Sequence, residues 1–458
     1  MSQQNKVEIQ KRLFGTSGIR GVVHKDLPLD LVYEVGLAIG TSLPCQSWVV
    51  IATDTRKSRA EIRATLELGL IISGINIIDV GILPTPALAY LTKSLGVDAG
   101  IMITASHNPP EFNGIKLFCA DGIGFNREQE INIEEIYFAK DFRTQQRGTI
   151  RREYKLQNNY FDFLKQRFLA CNFAHKFRVV VDPGNGAACN FATELFSDLG
   201  FEVLPINNNP DGFFPGRSPE PGRDTLSGTY EFLKKENADL AICFDGDADR
   251  VVFIDEQGFI GFDESIAFMA SLAVKSSGKK LVATTVEAGR LLDLAVYPLG
   301  ATVKRGMVGD ASVAVLTKSL GAAIGVEPVG VYIMPEADFY PNSFLAVLTM
   351  LSKVNEISEI RHFFDVIPRL YPAQIKLPCP NLKKQTLMHK LTERADLFGS
   401  GSVNTIDGLR MEFGDSWLLV RPSGTEPVIR ISAESMEELR TKDIVNNAKS
   451  IVLTLMED

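Results

Sequence analysis

The stretch AGIMITASHNP, residues 99–109, changes from an apolar run to a loop of polar side chains. Residues 99–103 predict a buried strand, and Thr104, Ser106 and His107 follow where that strand ends. In open α/β sheets, ligands bind outside the carboxyl ends of the strands, so a binding site is expected here. The residues alone leave two roles for Ser106: a cap of the following helix, or a covalent carrier of phosphate.

Strands and helices alternate along most of the sequence, beginning with the segments that flank this stretch. Residues 48–52 and 75–80 predict strands, and residues 58–73 and 84–95 have helical spacing. This alternation is typical of parallel strands joined by helical crossovers. The pattern returns twice, with strands predicted at 178–182, 201–204, 240–244, 280–284, 301–304 and 322–325, and helices at 187–199, 289–297 and 311–320. The sequence therefore predicts three similar α/β domains with mixed, largely parallel sheets.

The last part of the chain has a different pattern, with short strands predicted at residues 417–420 and 428–431 and closing helices. It predicts a fourth domain of the α+β class. Polar stretches near residues 145–153, 256–258 and 371–374 indicate the boundaries between domains. The predicted domains are 1–150, 151–257, 258–371 and 372–458.

The composition excludes several classes of protein. The 458 residues are 45% apolar and 23% charged, which is ordinary for a soluble globular protein. A net charge of -8 gives no general basic field for nucleic acid or an anionic membrane. Residues 1–12 lack the apolar core of a signal peptide, and the most apolar stretch, residues 66–83, is interrupted by Asn76 and Asp79. We therefore expect neither nucleic acid nor a membrane as a partner.

The cysteines are scattered along the chain without paired spacing. There are six of them: Cys45, Cys119, Cys171, Cys189, Cys243 and Cys379. This pattern predicts buried thiols in a reducing compartment rather than a zinc site or a disulfide framework. A cytoplasmic location is expected.

Three aspartates, Asp245, Asp247 and Asp249, stand at alternate positions after a predicted strand. A hard cation takes several oxygen ligands, and this spacing allows one tight loop to supply three. An EF-hand loop is the main alternative, since Glu256 falls at its twelfth position. However, Arg250 occupies the sixth position, where that loop needs glycine, and the flanking segments are strand-like. The loop therefore predicts a Mg²⁺ site, with Arg250 suited to a phosphate beside the metal.

A second loop, residues 421–427, has the composition of a phosphate cradle. Gly424 allows close backbone approach, while Ser423 and Thr425 supply hydroxyl groups. Arg421 and Arg430 add positive charge. By itself the loop is equally consistent with a hairpin turn that carries surface arginines.

Three further segments have weaker signals. Residues 14–21 are rich in glycine and contain Arg20, although a structural turn explains them equally well. Lys116 follows the serine loop closely enough to return to it as a proton carrier, or it is a surface charge. Residues 183–186 either bind an anion at a helix start or cap that helix.

Taken together, the motifs resemble those of the α-D-phosphohexomutase family, in the same order and nearly from end to end. Residues 14–21 are similar to the family's opening motif and residues 104–109 to its phosphoserine loop. Residues 245–250 are similar to its metal loop, and residues 421–427 with Arg430 to its phosphate loop. The resemblance implies a heart-shaped arrangement of the four domains, the last related to the TATA-box-binding-protein fold. It also implies a monomer or a homodimer.

The resemblance implies a reaction as well. Ser106 would carry a phosphoryl group, and one Mg²⁺ per chain would be held by that phosphate with Asp245, Asp247 and Asp249. The group would pass to a small sugar phosphate, giving a sugar 1,6-bisphosphate intermediate whose other phosphoryl group returns to Ser106. The net reaction of this isomerase moves a phosphoryl group between the 1 and 6 positions of the sugar.

Other residues take their roles from the same resemblance. Arg250 and Arg20 would neutralise charge on the transferring phosphate, and Lys116 and His107 are candidates for proton transfer. The phosphate that does not react would be held by Arg421, Ser423, Gly424, Thr425 and Arg430.

The sugar-reading loop departs from the family's pattern. Glu327 and Gly330 are present, and Glu327 would bind two sugar hydroxyls, but Val329 stands where serine is usual and Val331 where histidine is usual. Ala311 stands where a basic residue is common. These residues predict a sugar pocket more apolar than is usual in the family.

The opening motif resembles that of phosphoglucosamine mutases more than that of the bacterial phosphomannomutase/phosphoglucomutase branch. Phosphoglucosamine mutase activity is expected, and phosphomannomutase/phosphoglucomutase activity is the close alternative. A non-catalytic sugar-phosphate-binding relative and a metal-dependent phosphatase remain as further alternatives.

Overall fold

A computed structural model describes residues 12–15, 18–144, 146–169, 176–424 and 426–457. Among the residues discussed above, 1–11, Thr16 and Ser17 of the opening motif, residue 145, Cys171 and Thr425 lie outside these ranges. The described chain forms four domains, I to IV, each built on its own sheet. Three are α/β domains with mixed sheets, and the fourth has an antiparallel sheet, which confirms the predicted fold class.

Domain I has a six-stranded sheet in the order β1-β5-β4-β2-β3-β6. Its strands are β1 (Ile19–Val22), β2 (Trp48–Thr53), β3 (Asn76–Ile82), β4 (Ala99–Ile103), β5 (Phe112–Cys119) and β6 (Ile150–Arg152), and its helices are α1 (Leu29–Ser42), α2 (Arg59–Ile72), α3 (Thr85–Ser94) and α4 (Arg127–Ala139). The central strands β4, β2 and β3 are parallel, whereas β5 runs antiparallel to both β4 and β1. The loop that carries Ser106 therefore connects two antiparallel neighbours, β4 and β5.

Domain II has a five-stranded sheet in the order β11-β10-β9-β7-β8. Its elements are α5 (Gln157–Leu169), β7 (Arg178–Asp182), α6 (Phe191–Asp198), β8 (Glu202–Pro205), α7 (Ser227–Glu236), β9 (Leu240–Phe244), β10 (Val251–Asp255) and β11 (Gly258–Phe259). The three aspartates lie in the turn between the antiparallel strands β9 and β10. The helix predicted from residue 187 begins only at Phe191, because Asn185 and Asn190 adopt positive φ angles of 61° and 63° in the turns before it.

Domain III has a four-stranded sheet in the order β13-β12-β14-β15. Its elements are α8 (Phe262–Ser277), β12 (Leu281–Thr285), α9 (Leu291–Val296), β13 (Thr302–Gly306), α10 (Asp310–Leu320), β14 (Ile324–Glu327), β15 (Val331–Ile333), α11 (Ser343–Leu351) and α12 (Ser358–His362). Strands β13, β12 and β14 are parallel, and β15 is antiparallel to β14. The sugar-reading loop is the connection between β14 and β15.

Domain IV has a five-stranded sheet in the order β16-β20-β19-β18-β17, with every pair antiparallel. Its elements are β16 (Tyr371–Pro378), α13 (Asn381–Glu393), β17 (Ser402–Asn404), β18 (Leu409–Glu412), β19 (Trp417–Pro422), β20 (Val428–Ser435) and α14 (Glu438–Glu457). The candidate phosphate loop is the hairpin that joins β19 to β20.

One hydrophobic core runs through the three α/β domains. It includes Val50 of domain I, Val179 of domain II and Val326 of domain III. Domain IV has a separate core, and a small cluster of Val286, Trp417 and Leu419 joins it to domain III. Because burial of apolar surface is the main stabilising term, domains I to III form one unit against which domain IV docks through a smaller contact.

The predicted domain boundaries fall inside strands or hairpins of the structure. The division after residue 150 lies within β6, the division after 257 lies in the β10–β11 hairpin, and the division after 371 lies within β16. The prediction of buried thiols needs correction at two positions. Cys189, Cys243 and Cys379 are buried, whereas Cys45 and Cys119 are partly exposed. Across the described ranges, no helix is both long and apolar enough to span a membrane.

Candidate active site

Ser106 lies in the turn after β4 and contacts the aspartate loop of domain II. Its hydroxyl donates a hydrogen bond to Asp245 Oδ2 over 2.7 Å, and its side chain is buried. Its backbone adopts a positive φ of 51°, which is uncommon for a residue other than glycine. No helix follows this turn before β5, so helix capping does not explain the serine.

The three aspartates form a compact, buried cluster. One carboxylate oxygen from each of Asp245, Asp247 and Asp249 lies within 4.8 Å of the others. Burial raises the pKa of Asp245, and the neighbouring charges of Asp249 and Asp247 raise it further. The Oδ1 atoms of Asp247 and Asp249 are buried without a hydrogen bond among the described residues. Buried oxygen ligands with unsatisfied lone pairs fit a hard divalent cation.

Lys116, on β5, places a positive charge against this cluster. Its ammonium group donates to Asp247 Oδ2 at 2.8 Å and to Asp249 Oδ2 at 2.6 Å. Burial alone would lower the pKa of this amine, but the two carboxylates outweigh burial and hold the pKa above its ordinary value. The sequence-predicted proton carrier is therefore a charged lysine within the aspartate loop's hydrogen-bond network.

His107 and two arginines, Arg20 and Arg250, lie close to the serine loop. Burial lowers the pKa of His107 to about 2, with help from Arg250, Arg20 and Lys116, so its imidazole is neutral. His107 Nδ1 lies 3.4 Å from the Ser106 hydroxyl. The Nε atoms of Arg20 and Arg250 are buried without a hydrogen-bond partner in the described part of the chain. This environment favours an anion at Ser106.

Sequence reasoning missed several residues that support these loops. The hydroxyl of Thr85, at the start of α3, donates to Asp247 Oδ2 at 2.7 Å, and the Thr85 backbone N–H donates to the Asp247 carbonyl. Asp54 and Arg56 follow β2 and contact the serine loop. A polar pair directly after a buried strand was a signal of the same kind as the one at Ser106.

The sugar-reading loop lies against the strand that follows the aspartate loop. Glu327 is buried and accepts a hydrogen bond from the Gly309 N–H at 2.9 Å. Burial, followed by repulsion from Asp310, raises its pKa to about 7. Gly330 has a φ of 84°, and a Cβ atom there would lie 2.6 Å from the Val251 carbonyl oxygen. Only glycine fits this approach, which fixes the loop next to β10.

The two valines of this loop lie in or against a hydrophobic cluster, and their effect on the sugar pocket stays a prediction. Val331 is buried in a hydrophobic cluster with Ile123 of domain I and Val313 of α10, and Val329 packs against the same cluster. Ala311 lies beside Gly124 of domain I, where a Cβ atom on the glycine would lie 3.2 Å from the alanine Cβ. All three small or apolar residues serve contacts between domains I and III or within domain III.

The candidate phosphate loop of domain IV is held from several sides. Arg421 forms ion pairs with Glu287 of domain III at 3.2 Å and with Asp407 at 3.0 Å. Arg430 pairs with Glu426 at 2.9 Å. Lys384, which sequence reasoning also missed, donates to the carbonyls of Ser423 and Glu426 from the α13 side.

The structure places these phosphate-loop residues together, at the end of a β hairpin. Ser423 is buried and accepts a hydrogen bond from the Glu426 N–H at 3.1 Å, while Gly424 is exposed. Thr425 lies outside the described residues. Arg421 and Arg430 are both partly buried and lie on the same hairpin, where each is paired with a carboxylate.

Four family models match the chain in order. They are described as phosphoglucomutase/phosphomannomutase alpha/beta/alpha domain I (residues 11–144), domain II (158–258) and domain III (262–365), and as the C-terminal domain (375–449) of the same proteins. The matches cover most of the sequence and include all the loops described above.

Relatives and solved structures agree with these matches. The chain is 36% identical over 455 residues to a protein of Pyrococcus horikoshii named probable phosphoglucosamine mutase, which covers 98% of this chain and 99% of that one. It is 38% identical over 444 residues to a protein of the same name from Methanothermobacter thermautotrophicus, covering 95% and 97%. A crystal structure of a phosphoglucomutase/phosphomannomutase family protein from Burkholderia thailandensis superimposes with a TM-score of 0.85 at 27% identity, covering 97% of each chain.

Proposed function

Because the chain belongs to the phosphoglucomutase/phosphomannomutase family, we propose that it is a mutase that moves a phosphoryl group between the 1 and 6 positions of glucosamine phosphate. The 2.7 Å contact between the Ser106 hydroxyl and Asp245 carries the proposal, because it joins a nucleophile to a cluster of cation ligands. The name of the relatives, at 36% and 38% identity, supports glucosamine phosphate as the substrate.

The aspartate loop would hold one Mg²⁺ together with a phosphate on Ser106. The buried, hydrogen-bond-free Oδ1 atoms of Asp247 and Asp249 support this assignment. When bound, the ion supplies positive charge that stabilises the phosphoryl group during transfer.

Ser106 would carry the phosphoryl group that is exchanged. A sugar hydroxyl loses its proton and attacks the phosphorus. The bond between phosphorus and the serine oxygen breaks, and the Ser106 oxygen takes up a proton. In the second half, the Ser106 hydroxyl loses its proton and attacks the other phosphoryl group of the sugar 1,6-bisphosphate. The bond from that phosphorus to the sugar oxygen breaks, the sugar oxygen takes up a proton, and the phosphoserine is regenerated. Arg20 and Arg250 would neutralise the phosphate, and Lys116 and His107 are the candidates for moving the protons.

The remaining phosphate and the sugar would be held by the other two loops. Arg421, Ser423, Gly424, Thr425 and Arg430 would hold the phosphate that does not react, and Glu327 would bind sugar hydroxyls beside Gly330. The interdomain ion pair between Arg421 and Glu287 supports a grip that closes domain IV onto domain III.

The phosphoryl-carrier role is tested by incubating the protein with Mg²⁺, glucosamine 6-phosphate and a catalytic amount of glucosamine 1,6-bisphosphate. Glucosamine 1-phosphate is expected by phosphorus NMR, and peptide mass analysis should find a phosphate on Ser106. Ser106→Ala should lose the reaction, whereas the matched control Ser94→Ala, which lies on α3, should keep it. Wild-type protein that isomerises no sugar phosphate would contradict the proposal.

The same assay separates the alternatives. Glucose and mannose 6-phosphates replace glucosamine 6-phosphate, because the family model is named for phosphoglucomutase and phosphomannomutase. A higher kcat/KM on either neutral sugar would favour that activity. Steady release of inorganic phosphate without isomerisation would favour a phosphatase, and binding without either reaction a non-catalytic relative.

We further propose that the mutase acts in the cytoplasm as a monomer or a homodimer. The five described cysteines are all free thiols, which supports a reducing compartment. Light scattering on the purified protein measures the oligomeric state directly.

A further inference from the structure

Arg56 is a fully buried cation directly behind the serine loop. Its Nε donates to Asp54 Oδ2 at 3.0 Å. Its terminal nitrogens donate to four carbonyl oxygens, three in the serine loop and one at the start of β5: Ser106 at 2.8 Å, Asn108 at 2.5 Å, Pro109 at 2.5 Å and Phe112 at 2.9 Å. A guanidinium group has five N–H donors in a fixed plane, and each of the five has an acceptor here.

A second path runs from Arg56 to the backbone N–H of Ser106. Asp54 Oδ2, which pairs with Arg56, accepts a hydrogen bond from the Thr104 hydroxyl at 2.6 Å. The oxygen of that hydroxyl accepts the Ser106 N–H at 2.8 Å. Both backbone polar groups of Ser106 are therefore fixed by one buried ion pair.

These hydrogen bonds hold Ser106 in a strained backbone conformation. Left-handed backbone conformations are unfavourable for a residue other than glycine, so the φ of 51° at Ser106 needs surrounding contacts to persist. The same Ser106 carbonyl faces the aspartate loop, since a Cβ atom on Gly246 would lie 2.4 Å from its oxygen. The contact that Arg56 makes is thus also the point where the two loops meet.

We propose that Arg56, acting through Asp54 and Thr104, is a positioning residue that aims the phosphoryl-carrying oxygen of Ser106 at the aspartate loop. This inference rests on the proposed mutase function. Lysine cannot replace Arg56, because its three donors on a flexible stem do not reproduce a planar set of five. Asn108, whose carbonyl Arg56 holds, also accepts a hydrogen bond from Arg20, so Arg56 indirectly orients this arginine.

Two competing fates of the phosphoserine make this role measurable. In transfer, a sugar hydroxyl attacks the phosphorus and loses its proton, the bond to the serine oxygen breaks, and the Ser106 oxygen takes up a proton while the phosphoryl group passes to the sugar oxygen. In hydrolysis, water attacks instead, the bond to the serine oxygen breaks, and inorganic phosphate and Ser106 with its proton restored are released. A loop that is poorly aimed slows transfer to the sugar and leaves the phosphoserine exposed to water for longer.

The test compares Arg56→Lys, Thr104→Val and Thr104→Ser in the full-length protein. Thr104→Val removes only the hydroxyl relay and keeps the shape of the side chain, and Thr104→Ser keeps the hydroxyl. Arg63→Lys is the matched control, because Arg63 pairs with the buried Asp79 in the same domain at 3.3 Å and makes no contact with the serine loop in the described structure. For each variant, kcat and KM for glucosamine 6-phosphate, inorganic phosphate released per isomerisation, and the melting temperature are measured.

Arg56→Lys and Thr104→Val should lower kcat by roughly 10- to 100-fold, as is common when groups that orient a reacting residue are removed. KM should change little because the domain IV loop is intact, and more inorganic phosphate should be released per isomerisation. Thr104→Ser should restore the wild-type ratio of isomerisation to phosphate release, and Arg63→Lys should not change it.

A folded Thr104→Val protein with wild-type kcat and phosphate release would overturn the inference. So would a lower kcat that is fully explained by a smaller folded fraction. If Arg56→Lys does not fold, the comparison of the two Thr104 variants decides. Wild-type protein without any isomerase activity would overturn the proposed function together with this inference, which distinguishes that failure from the failure of Arg56 alone.

Discussion

The backbones of Ser106 and Gly246 approach each other so closely that a Cβ atom on Gly246 would lie 2.4 Å from the Ser106 carbonyl oxygen. This contact joins the serine loop of domain I to the aspartate loop of domain II. It sets the distance between the Ser106 hydroxyl and the Asp245 carboxylate. Glycine at this position is therefore a requirement of the site.

Gly246→Ala should separate the two loops. Because the new methyl group meets backbone rather than a flexible side chain, one loop must shift, and a displacement of about 1 Å at a reacting group costs on the order of 100-fold in rate. We expect kcat of the mutase assay to fall by at least about 10-fold. Gly222→Ala is the control, because a Cβ atom there meets nothing within 4 Å. Equal activity of the two variants would contradict the close contact.

The aspartate cluster is predicted to reduce stability when no cation is bound. Burial and repulsion from Asp249 and Asp247 raise the pKa of Asp245, so its charged form opposes folding at neutral pH. In excess EDTA, Asp245→Asn should therefore melt higher than the wild type, by roughly 2–4 °C for a gain of about 1 kcal/mol. Activity in Mg²⁺ should be lost in the same variant.

The melting experiment has a matched control, and one outcome would contradict the repulsion argument. Asp239→Asn changes an aspartate at the opposite end of β9, where its carboxylate accepts the Arg178 N–H, and should not raise the melting temperature. If Asp245→Asn melts lower than the wild type in EDTA, the carboxylate stabilises the fold and the repulsion argument is wrong.

A pH-dependent contact is expected where domain IV meets domain III. Burial, with repulsion from Glu434, raises the pKa of Asp263 to about 6. The unfolded chain releases this proton near pH 4, so the stabilising contribution of the protonated form is present below that pH and is lost as the pH rises to about 6. The difference amounts to at most about 3 kcal/mol.

Asp263→Asn removes this titration while keeping an oxygen that accepts the Gly289 N–H, which lies 3.1 Å from Asp263 Oδ1. Its melting temperature relative to the wild type should rise between pH 4 and pH 6.5 and then stay constant. Thermal melts of both proteins across this range give the difference directly. A difference that is independent of pH would show that folding does not raise the pKa of Asp263.

Much of the fold could be predicted because burial imposes regular patterns on the sequence. The five apolar residues before Thr104 and the run before Asp245 are fully buried strands, and the polar residues that follow each strand do meet at the site. The aspartate spacing also indicated a cation site before any geometry was known. These signals are local, so one segment is enough to see them.

Contacts between distant segments could not be predicted in this way. Arg56 looks like an ordinary helix-flanking charge until the fold brings residues 106–112 around it. The helix expected from residue 187 begins at Phe191 because the residues before it turn to meet Gly246, whose carbonyl accepts the Ala187 N–H. The motif pattern predicts that Val331 makes the sugar pocket apolar, and only the fold shows that Val331 is buried among apolar side chains of two domains.

Val331→His tests whether residue 331 lines the sugar pocket, because histidine is the residue expected at this position from the family resemblance. In this chain the side chain of residue 331 lies in a cluster with Ile123, Val313 and Ile333, where an imidazole has no polar neighbour within that cluster. Burial of an unpaired polar group costs about 1–3 kcal/mol, so the melting temperature should fall. The kcat/KM for glucosamine 6-phosphate should not rise. Val331→Ile, which adds one methylene group of apolar volume, is the control and should melt closer to the wild type. A histidine variant with improved kcat/KM and unchanged stability would place residue 331 in the sugar pocket after all.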